Sequence, residues 1–196
     1  RVALVNPPWN FERSIYFGCR EPHLPLELGY AKALLERAGH ACLLLDGHIT
    51  ATPVREIALQ VADFVPDMTV FTTAPSYLCW RCAQPELRVP REFIDALRGR
   101  GGVTVAVGPH GSATPRATLS KLGADIAVRG ECEEIVLRLA DGDDWEKVPS
   151  IAHRATDGSI RITGAPHASR FTDLPALHWP QEWINRHHHH HHRYGS

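Results

Sequence analysis

Unbroken apolar runs at 2–6, 41–45, 68–73, 103–107 and 125–128 alternate along this chain with stretches whose apolar residues recur every three or four positions. Short runs bounded by Gly and Pro read as buried strands, and the three-four interval reads as a helix with one buried face. The predicted helices cover 24–38, where Leu26, Leu28, Ala31, Leu34 and Leu35 share a face, and 53–64, with Val54, Ile57, Ala58 and Val61. Three more cover 90–98, 115–122 and 133–140. Pro25 suits a first-turn position of its helix and Gly39 a C-terminal cap. Strand-then-helix repetition with crossovers of this length favours a right-handed parallel sheet carrying helices on both faces. The expected fold is α/β: a five-stranded doubly wound parallel sheet, Rossmann-like or flavodoxin-like. The simplest order is 2-1-3-4-5, with the switch point between strands one and three.

The rhythm changes after residue 144. Residues 148–154 and 159–163 flank Asp157-Gly158 and read as a small C-terminal hairpin on an Asp-Gly turn. The segment 164–185, rich in Pro, His and Trp, reads as a connecting arm rather than a core element. The expected organisation is one domain over 1–144, followed by hairpin and linker over 145–196. Residues 9–24 carry Trp9, Phe11, Tyr16 and Phe17 without a period. A loop that long is usually functional, and its aromatics argue against disorder. The six histidines at 187–192 read equally as a purification tag or a native His-rich linker, and no functional metal is assigned to them. Arg1 runs almost directly into a strand, which reads as a trimmed start or the inside of a longer polypeptide.

Composition narrows the partners. The formal net charge of -1 gives no reason to expect nucleic acid or an anionic membrane surface. No apolar run approaches the length of a membrane span. The cysteines, Cys19, Cys42, Cys79, Cys82 and Cys132, are odd in number and scattered, which reads as reduced and cytoplasmic. Cys79 and Cys82 form a Cys-x-x-Cys near a strand end, but with no second pair a structural zinc site lacks ligands. Two ordinary loop thiols are the better reading.

Candidate chemistry collects at the strand ends. In parallel α/β sheets the ligand sits outside the carboxyl ends of the strands. Those ends here are Asn6, Pro7, Pro8 and Trp9; Thr73, Ala74, Pro75 and Ser76; Gly108, Pro109 and His110; Gly130 and Glu131. Each member has a plainer reading. Gly108 alone is a turn glycine, Ser76 a cap or turn residue, and His110 a solvated loop residue. Glu131 and Glu133 alone are first-turn acids complementing a helix dipole. The sheet brings the four loops to one edge, so the set carries more than its parts. No Gly-x-Gly-x-x-Gly follows the first strand, and neither a Walker-type loop nor a Gly-x-Ser-x-Gly elbow is present. An elaborated ligand edge without those signatures suggests a binding module for a large cofactor.

The pattern resembles the N-terminal cobalamin-binding domain of cobalamin-dependent radical SAM enzymes. The resemblance is carried by Val5-Asn6-Pro7-Pro8, by the helix from Leu24 to the turn at Gly39-His40, and by Val107-Gly108-Pro109-His110 with the residues to Pro115. It is carried also by the acidic segment from Gly123 to Glu134, similar to the family's D-x-x-V-x-G-E-x-E. The resemblance implies cobalamin across the carboxyl edge, its nucleotide tail passing near strands three and four. Ser76 and Leu78 match the Ser-x-Leu element of such domains, and Gly108 matches one position of the Gly-Gly element, with Pro109 departing from it. The cofactor-binding set it implies is Asn6, Pro7, Pro8, Trp9, Thr73, Ala74, Pro75, Ser76, Leu78, Gly108, Pro109, His110, Gly130, Glu131 and Glu133. The Asp-x-His-x-x-Gly motif that supplies a cobalt-ligating histidine is absent after strand one, and Asp46-Gly47-His48 follows the wrong strand. A base-off cobalamin, with the aromatic loop 9–20 over its lower face, is therefore implied. The Cys-x-x-x-Cys-x-x-Cys of a radical SAM cluster is also absent. The resemblance implies a radical SAM barrel C-terminal to this segment, holding S-adenosylmethionine and a [4Fe-4S] cluster. Methyl transfer or related radical chemistry would belong to the full-length protein and not to this fragment alone.

Two other classes share the topology. A receiver wants a carboxylate at the end of strand three, where Phe71-Thr72-Thr73-Ala74 stands. A flavodoxin wants a Ser/Thr-rich phosphate loop after strand one, where Asn6-Pro7-Pro8-Trp9 stands. A cofactor-less interaction domain on the same fold is the remaining alternative.

Overall fold

The computed structural model describes residues 1–10, 22–75, 87–169 and 175–187. Ser76, Leu78, Cys19, Cys79, Cys82, most of the aromatic loop and residues 188–192 lie outside the described residues.

Five parallel strands form the centre. They are β1 (Val2–Asn6), β2 (Cys42–Asp46), β3 (Met68–Thr72), β4 (Val103–Val107) and β5 (Ile126–Val128). Their order is β2-β1-β3-β4-β5, so the switch point falls between β1 and β3 as the pattern predicts. The hairpin strands β6 (Ile151–Arg154) and β7 (Ile160–Thr163) are not a separate appendage. β6 pairs antiparallel with β5 and β7 with β6, extending one sheet to seven strands. The physical reason is edge protection: β5 would otherwise present unpaired N–H and C=O groups. The Asp-Gly turn is present, with Gly158 at φ +80° and the Asp157 carboxylate accepting from Ser159 N at 2.8 Å.

Alternation along the strands divides the core in two. Val2 and Leu4 face one side, against Leu28, Ala31 and Leu35 of α1 (Leu26–Arg37) and Ile135, Val136 and Leu139 of α7 (Glu133–Ala140). Ala3 and Val5 face the other. There they meet Ile57, Ala58 and Val61 of α3 (Val54–Phe64), Phe93 and Leu97 of α4 (Arg88–Leu97), and Leu119 and Leu122 of α6 (Pro115–Leu122). Strands buried on both faces explain why their sequences are continuous apolar runs.

Three short helices lie outside the expected elements: α2 (Gly47–Thr50), α5 (Pro109–Ala113) and α8 (Gln181–Arg186). One or two turns are too short to show a period. α2 is set by a cap, the Asp46 carboxylate accepting from His48 N at 2.9 Å and Ile49 N at 2.8 Å. Pro25 sits at the N-cap of α1, not within its first turn, while Gly39 takes φ +91° just past the C-cap.

The arm differs most from its expected character. Trp183 of α8 is buried, and Trp179 lies against α1 so closely that a Cβ on Gly29 would overlap its ring. Arg186 donates to the Ile49 carbonyl at 3.2 Å, and Leu24 N donates to His187 Nδ1 at 3.2 Å. Prolines and isolated tryptophans give no period, yet two indoles bury enough apolar surface to hold this segment to the body.

Candidate functional site at the carboxyl edge

At the β1 end, four side chains from three strands and one loop join in a buried network. Asn6 Oδ1 accepts from Trp9 Nε1 at 2.7 Å and from Thr72 Oγ1 at 2.9 Å. Asn6 Nδ2 donates to Asp46 Oδ2 at 2.9 Å. Burial of Asp46 pushes its carboxyl up to about 6, against the lowering effect of the Ile49 N–H, Asn6 and the His48 N–H. The predicted ligand residues Asn6 and Trp9 thus spend their polar atoms on the protein. Trp9 and Pro7 are themselves buried, and Pro8 between them is half-buried.

At the β3–β4 junction the side chains are small. Thr73 donates through Oγ1 to the Val107 carbonyl at 2.9 Å, and Thr73 N donates to the same carbonyl at 2.8 Å. Gly108 follows with φ +112° and ψ −166°, a conformation open to glycine. A Cβ there would stand 3.0 Å from Thr73 Oγ1. Thr72, Thr73 and Ala74 are buried. The absent Cβ of Gly108 is what leaves this notch beside Thr73. α5 then begins at Pro109 and packs over β5, a Cβ on Gly111 meeting the Val128 carbonyl at 2.5 Å. His110 is held through its backbone, its carbonyl accepting from Thr114 N at 2.9 Å and Thr118 Oγ1 at 2.9 Å.

At the β5 end the acids grip the arm. Gly130 pairs with His167, and a Cβ on Gly130 would overlap the His167 backbone. Glu131 accepts from Ser169 N, Glu133 accepts from Ser169 Oγ at 3.0 Å, and Glu134 meets His167 Nε2 at 2.5 Å. Burial raises the Glu133 carboxyl above the usual glutamate value, opposed by its hydrogen bonds. Gly130 N also donates to Ser112 Oγ at 2.9 Å, joining the β4 and β5 loops.

The described members of the predicted set therefore share one edge, in three groups with different duties. Asp46, Thr72, His167 and Ser169 escaped the sequence reading. Asp46 carried a signal, standing at the end of its strand, but its pairing with Asn6 depends on β1 and β2 being neighbours. The thiols of Cys42 and Cys132 are free, and burial raises both, Cys42 to about 11. Cys42 begins β2, at the opposite end from the carboxyl edge, and Cys132 is buried between Glu131 and Glu133. Among the described residues no cluster of three His, Cys, Asp or Glu could hold a metal, and no helix is long and apolar enough to cross a membrane.

The fold is that of solved cobalamin-dependent enzymes. The chain is similar to TsrM, a radical S-adenosylmethionine methyltransferase from Kitasatospora setae solved with cobalamin and a [4Fe-4S] cluster bound. It has 22% identity and TM-score 0.63 over 89% of this chain and 30% of that one. It is similar also to OxsB, a cobalamin-dependent S-adenosylmethionine radical enzyme solved with aqua-cobalamin and S-adenosylmethionine, at 17% identity and TM-score 0.65. That likeness covers 90% of this chain and 24% of OxsB. The chain thus spans less than a third of either structure. No curated protein matches it. The model of the B12 binding domain matches residues 19–140, more than half of the chain, which takes in the β3–β4 junction and the β5 end but not Asn6–Trp9 or the arm. This chain belongs to the B12-binding domain family.

Proposed function

We propose that this chain is the cobalamin-binding module of a radical SAM enzyme, holding base-off cobalamin at the carboxyl edge of its sheet. The observation that carries the reading is the glycine notch at Gly108, which a Cβ would fill against Thr73. It lies where a parallel sheet of this order takes its ligand. The residues fit the group. At the ends of β3 and β4 the half-buried Gly108, with no side chain beside Thr73, would give a long polar tail room to pass along the backbone. At the β1 end the half-buried Pro8, backed by the buried Pro7 and Trp9, would be apolar footing for a flat macrocycle.

Bound cobalamin supplies organometallic chemistry at cobalt, and the protein supplies its position and surroundings. Gly108, Pro109 and Thr73 line the passage for the nucleotide tail, with Ser76 and Leu78 as further tail contacts. Asn6-Pro7-Pro8-Trp9 occupies the place where a cobalt-ligating histidine would follow β1. The motif that would supply a histidine ligand is thus missing after β1, and a nucleotide tail drawn in at Gly108 would carry its own base away from the cobalt, the base-off state. Residues 1–144 form the cofactor domain. The segment 145–196 leads toward a barrel that would hold S-adenosylmethionine and the iron–sulfur cluster. Methyl transfer or a related radical reaction is the proposed activity of the full-length protein. TsrM and OxsB, each more than three times the length covered here, support that larger arrangement.

The test is direct. Purified protein is mixed with hydroxocobalamin, desalted, and its visible spectrum recorded under oxidising and reducing conditions. Co-elution of about one corrinoid per chain is expected. The reduced complex should give a cob(II)alamin electron paramagnetic resonance spectrum without nitrogen superhyperfine splitting. Absence of corrinoid under both conditions would overturn the reading, and nitrogen splitting would overturn its base-off part. Ser76→Trp should block the tail; retention at the wild-type level would remove Ser76 from the site.

A further inference from the structure

We propose that Asp46 is a positioning residue of the cofactor site: through Asn6 it fixes the Trp9 indole at the β1 end of the carboxyl edge. The ligand named here rests on the cobalamin reading, whereas the mount itself is independent of it.

The chemistry of the atoms dictates the arrangement. An indole N–H can only donate, so the Asn6 atom facing Trp9 at 2.7 Å must be the carbonyl oxygen. Thr72 donates to the same oxygen. The Asn6 amide nitrogen is thereby turned toward β2 and needs an acceptor there. Asp46 meets that need with Oδ2, while its Oδ1 accepts both α2 backbone N–H groups. Only a carboxylate can accept on both sides at once. An asparagine at this position must turn an amide N–H₂ against either Asn6 or the cap. Asn6, Asp46 and Thr72 are each at most 2% exposed and Trp9 is 7% exposed, so water cannot replace a lost partner without opening the loop.

The backbone reinforces the link. Two prolines separate Asn6 from Trp9 and stiffen that step. Pro8 seats on Gly47, the residue after Asp46; a Cβ on Gly47 would stand 2.8 Å from Pro8 Cδ. The loop after β1 is therefore clamped to the loop after β2 by a hydrogen bond and by a glycine contact.

The experiment compares wild type, Asp46→Asn and Asn6→Ala by two readouts. The first is hydrogen exchange of the Trp9 indole N–H in the cofactor-free protein, with the resonance assigned through Trp9→Phe. The second is hydroxocobalamin affinity. Both variants should exchange the indole proton at least tenfold faster and bind corrinoid about tenfold more weakly. Asn6→Ala leaves the α2 cap intact, so it serves if Asp46→Asn does not fold. Wild-type exchange in a folded variant overturns the mount, and faster exchange with unchanged affinity overturns its role in the site. If the wild type binds no corrinoid, the cofactor reading and this role fall together, and the exchange result still decides the mount.

Discussion

Gly29 of α1 and Trp179 of the arm occupy adjoining space, with no room for even a methyl group between them. A helix-interior glycine is otherwise unfavourable, and here it serves as the socket for an indole that stacks on Trp183, ring centroids 6.1 Å apart. Gly29→Ala should cost about 1–3 kcal/mol by overpacking, or expel the arm and expose the tryptophans. Denaturant unfolding and acrylamide quenching distinguish the two. In a double-mutant cycle with Trp179→Ala the effects should not add, because removing the ring removes the clash. Full additivity would mean that the arm does not rest on Gly29 in solution.

Gly108 and Gly123 give a paired test of the notch. Both have positive φ, +112° and +74°, but a Cβ on Gly123 meets open space while one on Gly108 meets Thr73. Alanine at either should destabilise by about 1 kcal/mol or more through the backbone. Gly108→Ala alone should also lower hydroxocobalamin affinity, by tenfold or more. Equal affinity in the two variants would detach Gly108 from the ligand.

Asp46 should make the β1 end sensitive to mildly acidic pH. Its carboxyl is raised to about 6 by burial, so it is ionised at neutral pH and accepts from Asn6. A raised acid binds its proton more tightly when folded. The stability it contributes is therefore complete below the ordinary aspartate value of 3.8 and is lost as pH rises through about 6. Relative to Asp46→Asn, wild-type unfolding free energy should fall across that window. The Trp9 indole resonance should titrate with a midpoint near pH 6, and the titration should vanish in the variant.

Ser169→Ala removes the side-chain donor that reaches the buried Glu133 carboxylate. An uncompensated buried acceptor costs about 1–3 kcal/mol. Because Glu133 is already raised by burial, the loss should appear above the ordinary glutamate range and be absent below it, where the group is protonated in both states. Denaturant melts at pH 7 and pH 4 check this. An equal loss at both would assign the effect to packing of the arm.

The sequence by itself determined the layered α/β body. Strands buried on both faces must be apolar throughout, and amphipathic helices must show their three-four period, so the order of elements and the five-strand core were legible from residues 2–140. So was the collection of Asn6, Thr73, Gly108 and Gly130 at one edge, because parallel strands all end on the same side. The duties of those residues were decided by tertiary structure alone. Asn6 and Asp46 are forty positions apart, and nothing local says that one amide must face one carboxylate. Glu131 and Glu133 read alone as helix-dipole acids and by resemblance as ligand contacts, and only the returning arm placed Ser169 between them. The arm itself had no period to announce it, since two tryptophans hold it by fitting a glycine on a distant helix. Periodicity reports which face of an element is buried; only the packed chain reports what each face is buried against.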